Sequence, residues 1–375
     1  MDTMTATRDI PFFNYKGTFA AIEPELTATF HDVLSRGAFI MQKDLREFEE
    51  ACAEYLHVKH AFGVGNATDG LHISLRAAGI QPGDEVLVSA HTMIATPAAI
   101  HFAGGVSIPV DIGPDHMMDA AALEPAITKK TRFIMPVQVN GRTCDMDAVG
   151  AVAREHDLTI VEDAAQALGS RFKGKLAGTF GVASAFSFYP AKVLGCLGDG
   201  GLVVTDHDAV ADKVHGLRDH GRDREGDVAG WGMNSRLDNL QAAFLHLQLR
   251  KYQAVIDHRR AMAKAYHEEL GSLAEVVLPP GPDADPRHFD VYQNFELEAD
   301  RRDALQAHLK AKGIGTLVQW SGRAIHQHPK LGLKAAHVPV TDKFFTRCLM
   351  VPMNLLVTRS DVAYITEVIR GFYGK

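Results

Sequence analysis

The sequence predicts an α/β protein, with a large domain built on a mostly parallel sheet and a smaller α+β domain after it. From about residue 25 to 245, short apolar runs that end in Gly, Asp, Ser or Thr alternate with longer helical stretches. The runs are nearly continuous in apolar residues, as in parallel strands that helices cover on both faces. After Pro279-Pro280-Gly281-Pro282 the rhythm changes. We therefore expect a large domain over 21–250 and a small one over 251–375, with residues 1–20 packed against the small domain.

The elements of the large domain follow one another as pairs of strand and helix. The predicted strands cover 60–64, 85–88, 133–137, 158–161 and 182–188. The predicted helices between them cover 68–78, 94–103 and 145–156. A longer helix is predicted from near residue 237. An apolar stripe at helical spacing begins there and comprises Leu237, Leu240, Phe244 and Leu247. We expect this helix to run, with a bend, towards Leu270.

Composition argues against several classes of function. The 375-residue chain has a formal net charge of −7 and a sequence pI near 6.2, which disfavours nucleic acid as a partner. It has no apolar run near the ~18 residues that cross a bilayer, and its first residues lack a signal-peptide pattern. Its four cysteines are scattered, and no HExxH or similar metal-ligand spacing occurs. We therefore expect a cytoplasmic protein without a metal or a membrane partner.

The first chemical signal is residues 63–70, Gly-Val-Gly-Asn-Ala-Thr-Asp-Gly, a glycine-bearing turn that leads from a strand into a helix. Free backbone N–H groups at a helix N-terminus form a common phosphate site. The glycine spacing differs from that of a dinucleotide fingerprint, which argues against a Rossmann oxidoreductase. An ordinary helix cap by Asn66 or Thr68 explains the turn as simply.

Two more polar residues follow strands of the same domain. Asp163 closes a β-branched run, and Lys192 follows the strand that ends near Ser187. Ligands of open α/β sheets lie outside the carboxyl ends of the strands, so both side chains are candidates for a site. Taken singly, a helix cap explains the carboxylate and a surface loop explains the lysine. Residues 233–238, a polar segment before the long helix, have the same capping alternative.

A phosphate cradle, a carboxylate and a sequestered lysine at strand ends of one domain are together what pyridoxal 5′-phosphate (PLP) requires. The lysine bonds the cofactor, the carboxylate keeps the pyridine nitrogen protonated, and the turn holds the phosphate. The glycines that follow Lys192, at positions 195, 198, 200 and 201, let the backbone turn tightly beside a cofactor. The sequence therefore predicts a PLP enzyme.

The motifs also resemble a known family. The blocks GNATDGLHISLRAAGI, PGDEVLVSAHTMIATPAAI, VEDAAQALGS, SFYPAKVLGCLGDGGLVVT and NSRLDNLQAA are similar, in order and spacing, to those of the DegT/DnrJ/EryC1/StrS sugar aminotransferases. The resemblance runs from about residue 10 to the C-terminus. It implies the PLP-dependent transferase fold type I and a homodimer with shared active sites. It also implies transfer of an amino group from glutamate to a nucleotide-linked keto-deoxysugar, a step of amino-sugar biosynthesis.

The resemblance assigns a role to each site residue. Lys192 would bond PLP and move the proton, Asp163 would pair with the pyridine nitrogen, and Gln166 would lie by the phenolic oxygen of the ring. The residues that would hold the phosphate are Thr68, Asp69, Ser187 and, from the neighbouring subunit, Asn234. A dehydrating subgroup carries histidine in place of the lysine, so Lys192 favours amino transfer.

Three positions depart from the family pattern. Met93 stands where many relatives stack an aromatic ring on PLP, and Leu168 replaces a polar neighbour of the substrate. Residues 319–326 replace a PxPxH-like block, and we expect Arg323 there to bind a diphosphate or a carboxylate. A solvated loop arginine explains Arg323 as simply, and Arg222 is a rival anion binder. The candidate substrate residues are Tyr189, Arg222, Arg323 and His326.

Three other functions remain open from the sequence. An aminotransferase for a cyclitol or another non-nucleotide ketone would use the same residues and differ only in its substrate pocket. A non-catalytic regulator on the PLP fold predicts loss of Lys192 or Asp163, and both are present. A cysteine desulfurase would need a reactive cysteine in a mobile loop, whereas Cys196 has the sequence context of a small buried residue.

Overall fold

The computed structural model describes residues 8–333 and 337–375. The strands, in chain order, are β1 (His60–Val64), β2 (Glu85–Ser89), β3 (Val106–Val110), β4 (Thr131–Met135), β5 (Thr159–Asp163), β6 (Arg171–Phe172), β7 (Lys175–Leu176), β8 (Ala183–Ser187), β9 (Gly201–Thr205), β10 (Val276–Val277), β11 (His288–Phe289), β12 (Phe295–Ala299) and β13 (Cys348–Val351). The helices are α1 (Tyr15–Ala20), α2 (Glu23–Arg36), α3 (Lys43–Leu56), α4 (Ala67–Ala78), α5 (Ala95–Phe102), α6 (Met146–Glu155), α7 (Asp208–Arg218), α8 (Asn239–Leu249), α9 (Tyr252–Leu270), α10 (Arg302–Ala311), α11 (Pro339–Arg347) and α12 (Arg359–Phe372). Among them, no helix is both long and apolar enough to cross a membrane.

A seven-stranded sheet in the order β1-β9-β8-β5-β4-β2-β3 forms the centre of the large domain. The pairs from β8 to β3 are all parallel, whereas β9 runs antiparallel to both β8 and β1. The predicted α/β fold with a mostly parallel sheet is therefore confirmed. The carboxyl ends of β1, β5 and β8 consequently lie along one edge of the sheet, which is where the polar residues of the sequence analysis fall.

Helix α4 shows how the sheet is covered. Its side chains Leu71, Ile73 and Leu75 are fully buried, and the helix packs against β8 and β9. Burying each of these side chains stabilises the fold by about 1.5–3 kcal/mol. The close approach requires a glycine at position 70, because a Cβ there would lie 3.0 Å from that of Ala185. The N-terminus of α4 is thereby held beside the carboxyl end of β1.

The predicted long helix is two helices, α8 and α9, with a break at residues 250–251. Tyr252, at the start of α9, is buried in the core of the large domain, and its hydroxyl donates to the Leu168 carbonyl at 2.7 Å. Tyr266 and Leu270, near the end of α9, lie in a second core. The break therefore lets one helix begin in the first core and end in the second. The exact domain boundary at 250/251 stays a prediction.

The second core surrounds a three-stranded antiparallel sheet, β10-β12-β13, covered by α9, α10 and α12. This is the smaller α+β unit that the sequence predicts. Ile10 belongs to the same core, where its N–H donates to the Gly313 carbonyl and its carbonyl accepts from the Gly315 N–H, both at 2.8 Å. The described part of the N-terminal segment is thus joined to this unit, and residues 1–7 lie outside the described residues.

Candidate active site

A cavity of about 310 Å³ opens at the carboxyl edge of the large sheet, between it and the second unit. The predicted residues that line it are Thr68, Met93, Asp163, Gln166, Ser187, Tyr189 and Lys192. The second unit contributes the opposite wall through Asn294, Leu317, Gln319, Trp320 and Met350. The structure thus brings together residues from three strand ends and closes them over with the C-terminal part of the chain.

Asp163 is the last residue of β5 and is only 5% exposed. Its Oδ1 accepts a hydrogen bond from the Ala165 N–H at 3.1 Å, and its Oδ2 accepts one from the Thr96 hydroxyl at 2.7 Å. Burial raises the pKa of Asp163, while these two hydrogen bonds and the nearby Lys192 act in the opposite direction. The arrangement places a buried acceptor at the floor of the cavity.

The Thr96 hydroxyl, which donates to Asp163, makes a second hydrogen bond to another threonine. Thr92 lies in the bend before α5 and Thr96 in the first turn of that helix, and their hydroxyl oxygens are 2.6 Å from each other. Because Thr96 donates to Asp163, its oxygen is left to accept from Thr92. This relay was missed by sequence reasoning, although the neighbouring Met93 had been singled out. A hydroxyl in the first turn of a helix beside a strand end was the available signal.

Lys192 lies in the loop after β8, and its backbone N–H donates to the Tyr189 carbonyl at 2.8 Å. Burial lowers the pKa of the Lys192 amine to about 8, although the Asp163 carboxylate acts in the opposite direction. An amine with a pKa of about 8 can release its proton much closer to neutral pH than an ordinary lysine. A neutral, desolvated lysine is a competent nucleophile and proton acceptor.

The third part of the site is an anion cradle at the N-terminus of α4. The Asn66 side chain caps the helix by accepting from the Asp69 N–H at 2.9 Å, so the helix begins at the cavity wall with Thr68 in its first turn. Ser187, the last residue of β8, lines the same region. Gly201 makes the cradle possible, because a Cβ there would lie 2.6 Å from the carbonyl carbon of Asn66. A helix N-terminus with hydroxyl side chains beside it suits a phosphate.

Asp69 does not line this cavity in the described structure, although the resemblance implied a phosphate contact. Its N–H is taken by the Asn66 cap, and its carboxylate Oδ2 accepts from the Ser235 hydroxyl at 2.7 Å. The Ser235 oxygen in turn accepts from the Gly65 N–H at 3.0 Å. Asp69 therefore braces the turn that forms the cradle, and a carboxylate aimed at a phosphate would repel it.

Gln166 connects the cavity to a buried polar network between the two units. Its Oε1 accepts from the Asn140 N–H at 2.7 Å, and the Asn140 amide donates to Glu296 Oε2 at 2.6 Å. With its amide nitrogen facing the carboxylate, Gln319 donates to both Glu296 oxygens, at 2.7 and 2.9 Å. Asn294 donates to the Asn140 side-chain oxygen at 2.8 Å. The fully buried Glu296 carboxylate thus joins both units behind the cavity.

Glu296 and Asn140 were missed by sequence reasoning, and Glu296 gave a misleading signal. It alternates with apolar neighbours in Phe295-Glu296-Leu297-Glu298, which is typical of a strand with one solvent-exposed face. In the structure that face is covered, and Glu296 is 1% exposed. Trp320 lies within residues 319–326, yet nothing in the sequence indicates that it forms part of the cavity wall.

Besides Asp69, four predicted residues lie outside this cavity lining. Asn234 is bridged to Asp219, next to the exposed loop that carries Arg222. Arg323 is an exposed residue after the turn Gln319–Gly322. His326 contacts Asp342 at 2.9 Å instead of facing the cavity. Their predicted contacts to phosphate or substrate therefore stay predictions.

Comparison with known proteins agrees with this geometry. The family model of the DegT/DnrJ/EryC1/StrS aminotransferase family matches residues 20–370. A "Pleiotropic regulatory protein" of Geobacillus stearothermophilus is 36% identical, covering 97% of this chain and 99% of that protein. The dTDP-3-amino-3,4,6-trideoxy-alpha-D-glucose transaminase of Streptomyces venezuelae is 36% identical as well, covering 99% of this chain and 98% of the enzyme.

A solved structure of DesV from S. venezuelae, in complex with a ketimine intermediate, superposes with a TM-score of 0.93 at 36% identity. It covers 98% of this chain and 100% of that one. With its aminotransferase fold, its full-length family match and its lysine–aspartate cavity, the chain belongs to the DegT/DnrJ/EryC1/StrS aminotransferase family.

Proposed function

We propose that this enzyme is a PLP-dependent aminotransferase that moves an amino group from glutamate to a nucleotide-linked keto-deoxysugar. The observation that carries the proposal is the presence of Lys192 and Asp163 in one cavity, each influencing the pKa of the other. Aminotransferase chemistry requires a group that exchanges its proton near neutral pH and a fixed anion next to it. The family membership supports the same reaction class.

The residues present fit PLP. The α4 N-terminus with Thr68 and Ser187 would hold the phosphate, Asp163 would accept from the pyridine N–H, and Gln166 would stand by the phenolic oxygen. The absence of a Cβ at Gly201 keeps the cradle open. When bound, PLP supplies an electron sink that stabilises negative charge on the carbon next to the transferred nitrogen. Met93, 50% exposed at the cavity, would cover one face of the ring with its thioether.

Each protein group has a separate task in this proposal. Lys192 Nζ accepts a proton while neutral and returns it while charged, which a pKa of about 8 allows in both directions. The Thr96 and Ala165 donors favour the ionised, accepting form of Asp163, in opposition to burial, which raises its pKa. The second unit covers the cavity opposite both groups, and a partly enclosed site strengthens their electrostatic interaction.

The outer wall of the cavity suits a sugar. Phe13, Tyr189 and Trp320 offer aromatic faces, and Asn294 and Gln319 offer amides, all among the lining residues. Aromatic faces with hydrogen-bonding amides match the apolar faces and hydroxyl edges of a sugar ring. The name of the Streptomyces relative, a dTDP-sugar transaminase, supports a nucleotide on that sugar. Arg222 and Arg323 remain the proposed anion binders for the diphosphate or the donor carboxylate.

We propose a homodimer with shared active sites and a cytoplasmic location, which the four buried free cysteines suit. The loop before Asn234 carries Val228 and Trp231, which are 70% and 92% exposed. Large exposed apolar side chains of this kind favour a protein contact. Asn234 itself stays outside the cavity of its own chain, as expected if it serves the partner's phosphate site.

Mixing two inactive variants tests the shared site. Lys192→Ala and Asn234→Ala are each expected to lose most activity, and the mixed dimer contains one site with neither change. Activity should therefore recover to roughly a quarter of wild type after subunit exchange. Absence of recovery, with mixed dimers demonstrated by mass spectrometry, would contradict the shared site.

Two alternatives have specific supports. A cyclitol or other non-nucleotide ketone would use the same Lys192 and Asp163, with the sugar wall as its pocket. A regulatory role is suggested by the name of the Geobacillus relative. The desolvated lysine and its buried aspartate favour catalysis, because a sensing protein has no need of an amine with a lowered pKa.

The first experiment is absorbance spectroscopy of the purified protein with PLP, before and after addition of glutamate. A band that forms with PLP and converts to the pyridoxamine 5′-phosphate (PMP) band with glutamate supports the amino transfer. Adding keto-sugar nucleotides and, separately, cyclitol ketones then identifies the acceptor by the return of the first band. No conversion with any amino donor would overturn the proposed function.

A further inference from the structure

Gln293 joins the peptide groups on the two sides of Lys192. Its side-chain Nε2 donates to the Ala191 carbonyl at 2.7 Å, and its Oε1 accepts from the Val193 N–H at 2.8 Å. The Ala191 carbonyl belongs to the peptide bond before Lys192, and the Val193 N–H belongs to the one after it. A single amide therefore holds both peptide planes that meet at the Lys192 Cα.

Gln293 is itself fixed by residues of both units. It is 6% exposed, and its backbone N–H donates to the Asn140 carbonyl at 3.0 Å. The buried Arg259 on α9 donates to the carbonyls of Tyr292 and Gln293, at 3.0 and 3.1 Å. The Gln293 backbone is thus held at both its N–H and its carbonyl, which leaves the side-chain amide little freedom to move away from the lysine loop.

The amide type matters at this position. The clamp needs one donor and one acceptor side by side, which glutamine supplies and a carboxylate does not. Because peptide units are planar, fixing the two planes fixes φ and ψ of Lys192. The direction in which the long side chain leaves its Cα is then set, and with it the region that the amine can reach. Orientation of a reacting group to within about 1 Å is worth roughly two orders of magnitude in rate.

We propose that Gln293 is a positioning residue for Lys192, through which the second unit aligns the amine with its reaction partner. The inference rests on the proposed function, because it assigns Lys192 the bond to PLP. The Gln293 side chain lines the cavity, yet its hydrogen bonds go to the Ala191 carbonyl and the Val193 N–H rather than to the phosphate cradle or the Lys192 amine. Its loss should therefore affect the covalent step and leave the binding of the phosphate and ring in place.

The test compares Gln293→Met, which keeps the length and loses both hydrogen bonds, with wild type. The rate of covalent attachment of PLP is measured by borohydride trapping and mass spectrometry of the Lys192 peptide. The Kd of PMP, which cannot bond the lysine, is measured on the same proteins. We expect attachment to slow at least about tenfold while the PMP Kd changes less than about threefold.

Gln241→Met is the matched control. The Gln241 side-chain oxygen accepts from the Leu197 N–H at 2.8 Å, in the same loop but away from the two peptide groups of Lys192. This variant should attach PLP within about twofold of the wild-type rate. Should Gln293→Met fail to fold, Gln293→Glu answers the question, since it is isosteric and keeps the acceptor for Val193. It lacks the donor for Ala191, so attachment is still expected to slow.

The outcomes separate the two proposals. If wild type attaches no PLP at Lys192, the proposed function fails. If wild type attaches PLP and both Gln293 variants do so at the same rate, only the role of Gln293 is overturned. An equal loss of PMP affinity and attachment rate would show a merely structural residue and would also overturn it.

Discussion

The Thr96 hydroxyl donates a 2.7 Å hydrogen bond to Asp163, and so ties the first turn of α5 to the end of β5. The bond satisfies one oxygen of a buried carboxylate, and the Ala165 N–H satisfies the other. Without these donors, burial would favour the neutral acid. The ionised form of Asp163 therefore depends on Thr96, a residue that takes no direct part in the proposed chemistry.

Replacement of Thr96 by the isosteric Val is expected to raise the pKa of Asp163 further and to lower kcat/KM for glutamate about tenfold or more. The reason is that a hydrogen bond to a charged group is worth about 1.5–3 kcal/mol. Thr341→Val serves as the control, because Thr341 makes a similar 2.6 Å bond to Asp111 outside the cavity lining. Unchanged kinetics in Thr96→Val would contradict the role of the relay.

The Lys192 amine of the cofactor-free protein is expected to titrate near pH 8, where burial has lowered its pKa. At pH 7 about a tenth of it is then neutral, against roughly one part in three thousand for an ordinary lysine. Competitive acetylation across pH, read by mass spectrometry, measures this value. Asp163→Asn should lower it further, since the carboxylate favours the charged amine. A titration above pH 10 in wild type would refute the desolvated lysine.

The same Asp163→Asn change should stabilise the cofactor-free protein while it impairs amino transfer. The folded-state pKa of Asp163 is raised above its ordinary value, so its contribution to stability is lost as pH rises through the folded pKa. The asparagine variant avoids this loss. Thermal melts at pH 4 and pH 7 should show a larger advantage for the variant at pH 7. A lower Tm than wild type at pH 7 would contradict the prediction.

Gly201→Ala is expected to weaken PMP binding about tenfold or more, because its Cβ would press on the turn between Asn66 and Ala67, at 2.6 and 2.8 Å. Isothermal titration with PMP measures the effect. Gly198→Ala is the matched control, three residues earlier in the loop before β9, since its nearest contact of 3.5 Å is ordinary. Equal affinities of the two variants would show that the close approach at Gly201 is not needed for the cradle.

The strand ends of the large sheet could be predicted because their pattern is local. An apolar run followed by Asp163, or by Ser187 and then Lys192, shows within a few residues where a parallel strand stops. Chain topology then places these ends at one edge. The break between α8 and α9 could not be located, since the apolar stripe continues across it and only the second core explains the change of direction.

The wall from the second unit could not be predicted for a related reason. Glu296 alternates with apolar residues as an outward-facing strand residue would, and its partners Asn140 and Gln319 lie far away in the chain. Gln293 likewise lies 100 residues after Val193, which belongs to the loop that it clamps. Partnerships over such separations leave no trace in one sequence without the fold.

The separation between Gln293 and Lys192 also orders events during synthesis on the ribosome. The lysine loop emerges from the exit tunnel well before the residues that clamp it, and Ile10, at the other end of the chain, waits still longer for its partners at Gly313 and Gly315. Until residues 293 to 315 have been synthesised, Lys192 lacks the Gln293 amide and the N-terminal segment lacks its hydrogen-bond partners. Truncation before residue 293 would keep all seven strands of the large sheet in the chain but remove the clamp that, in our proposal, orients Lys192.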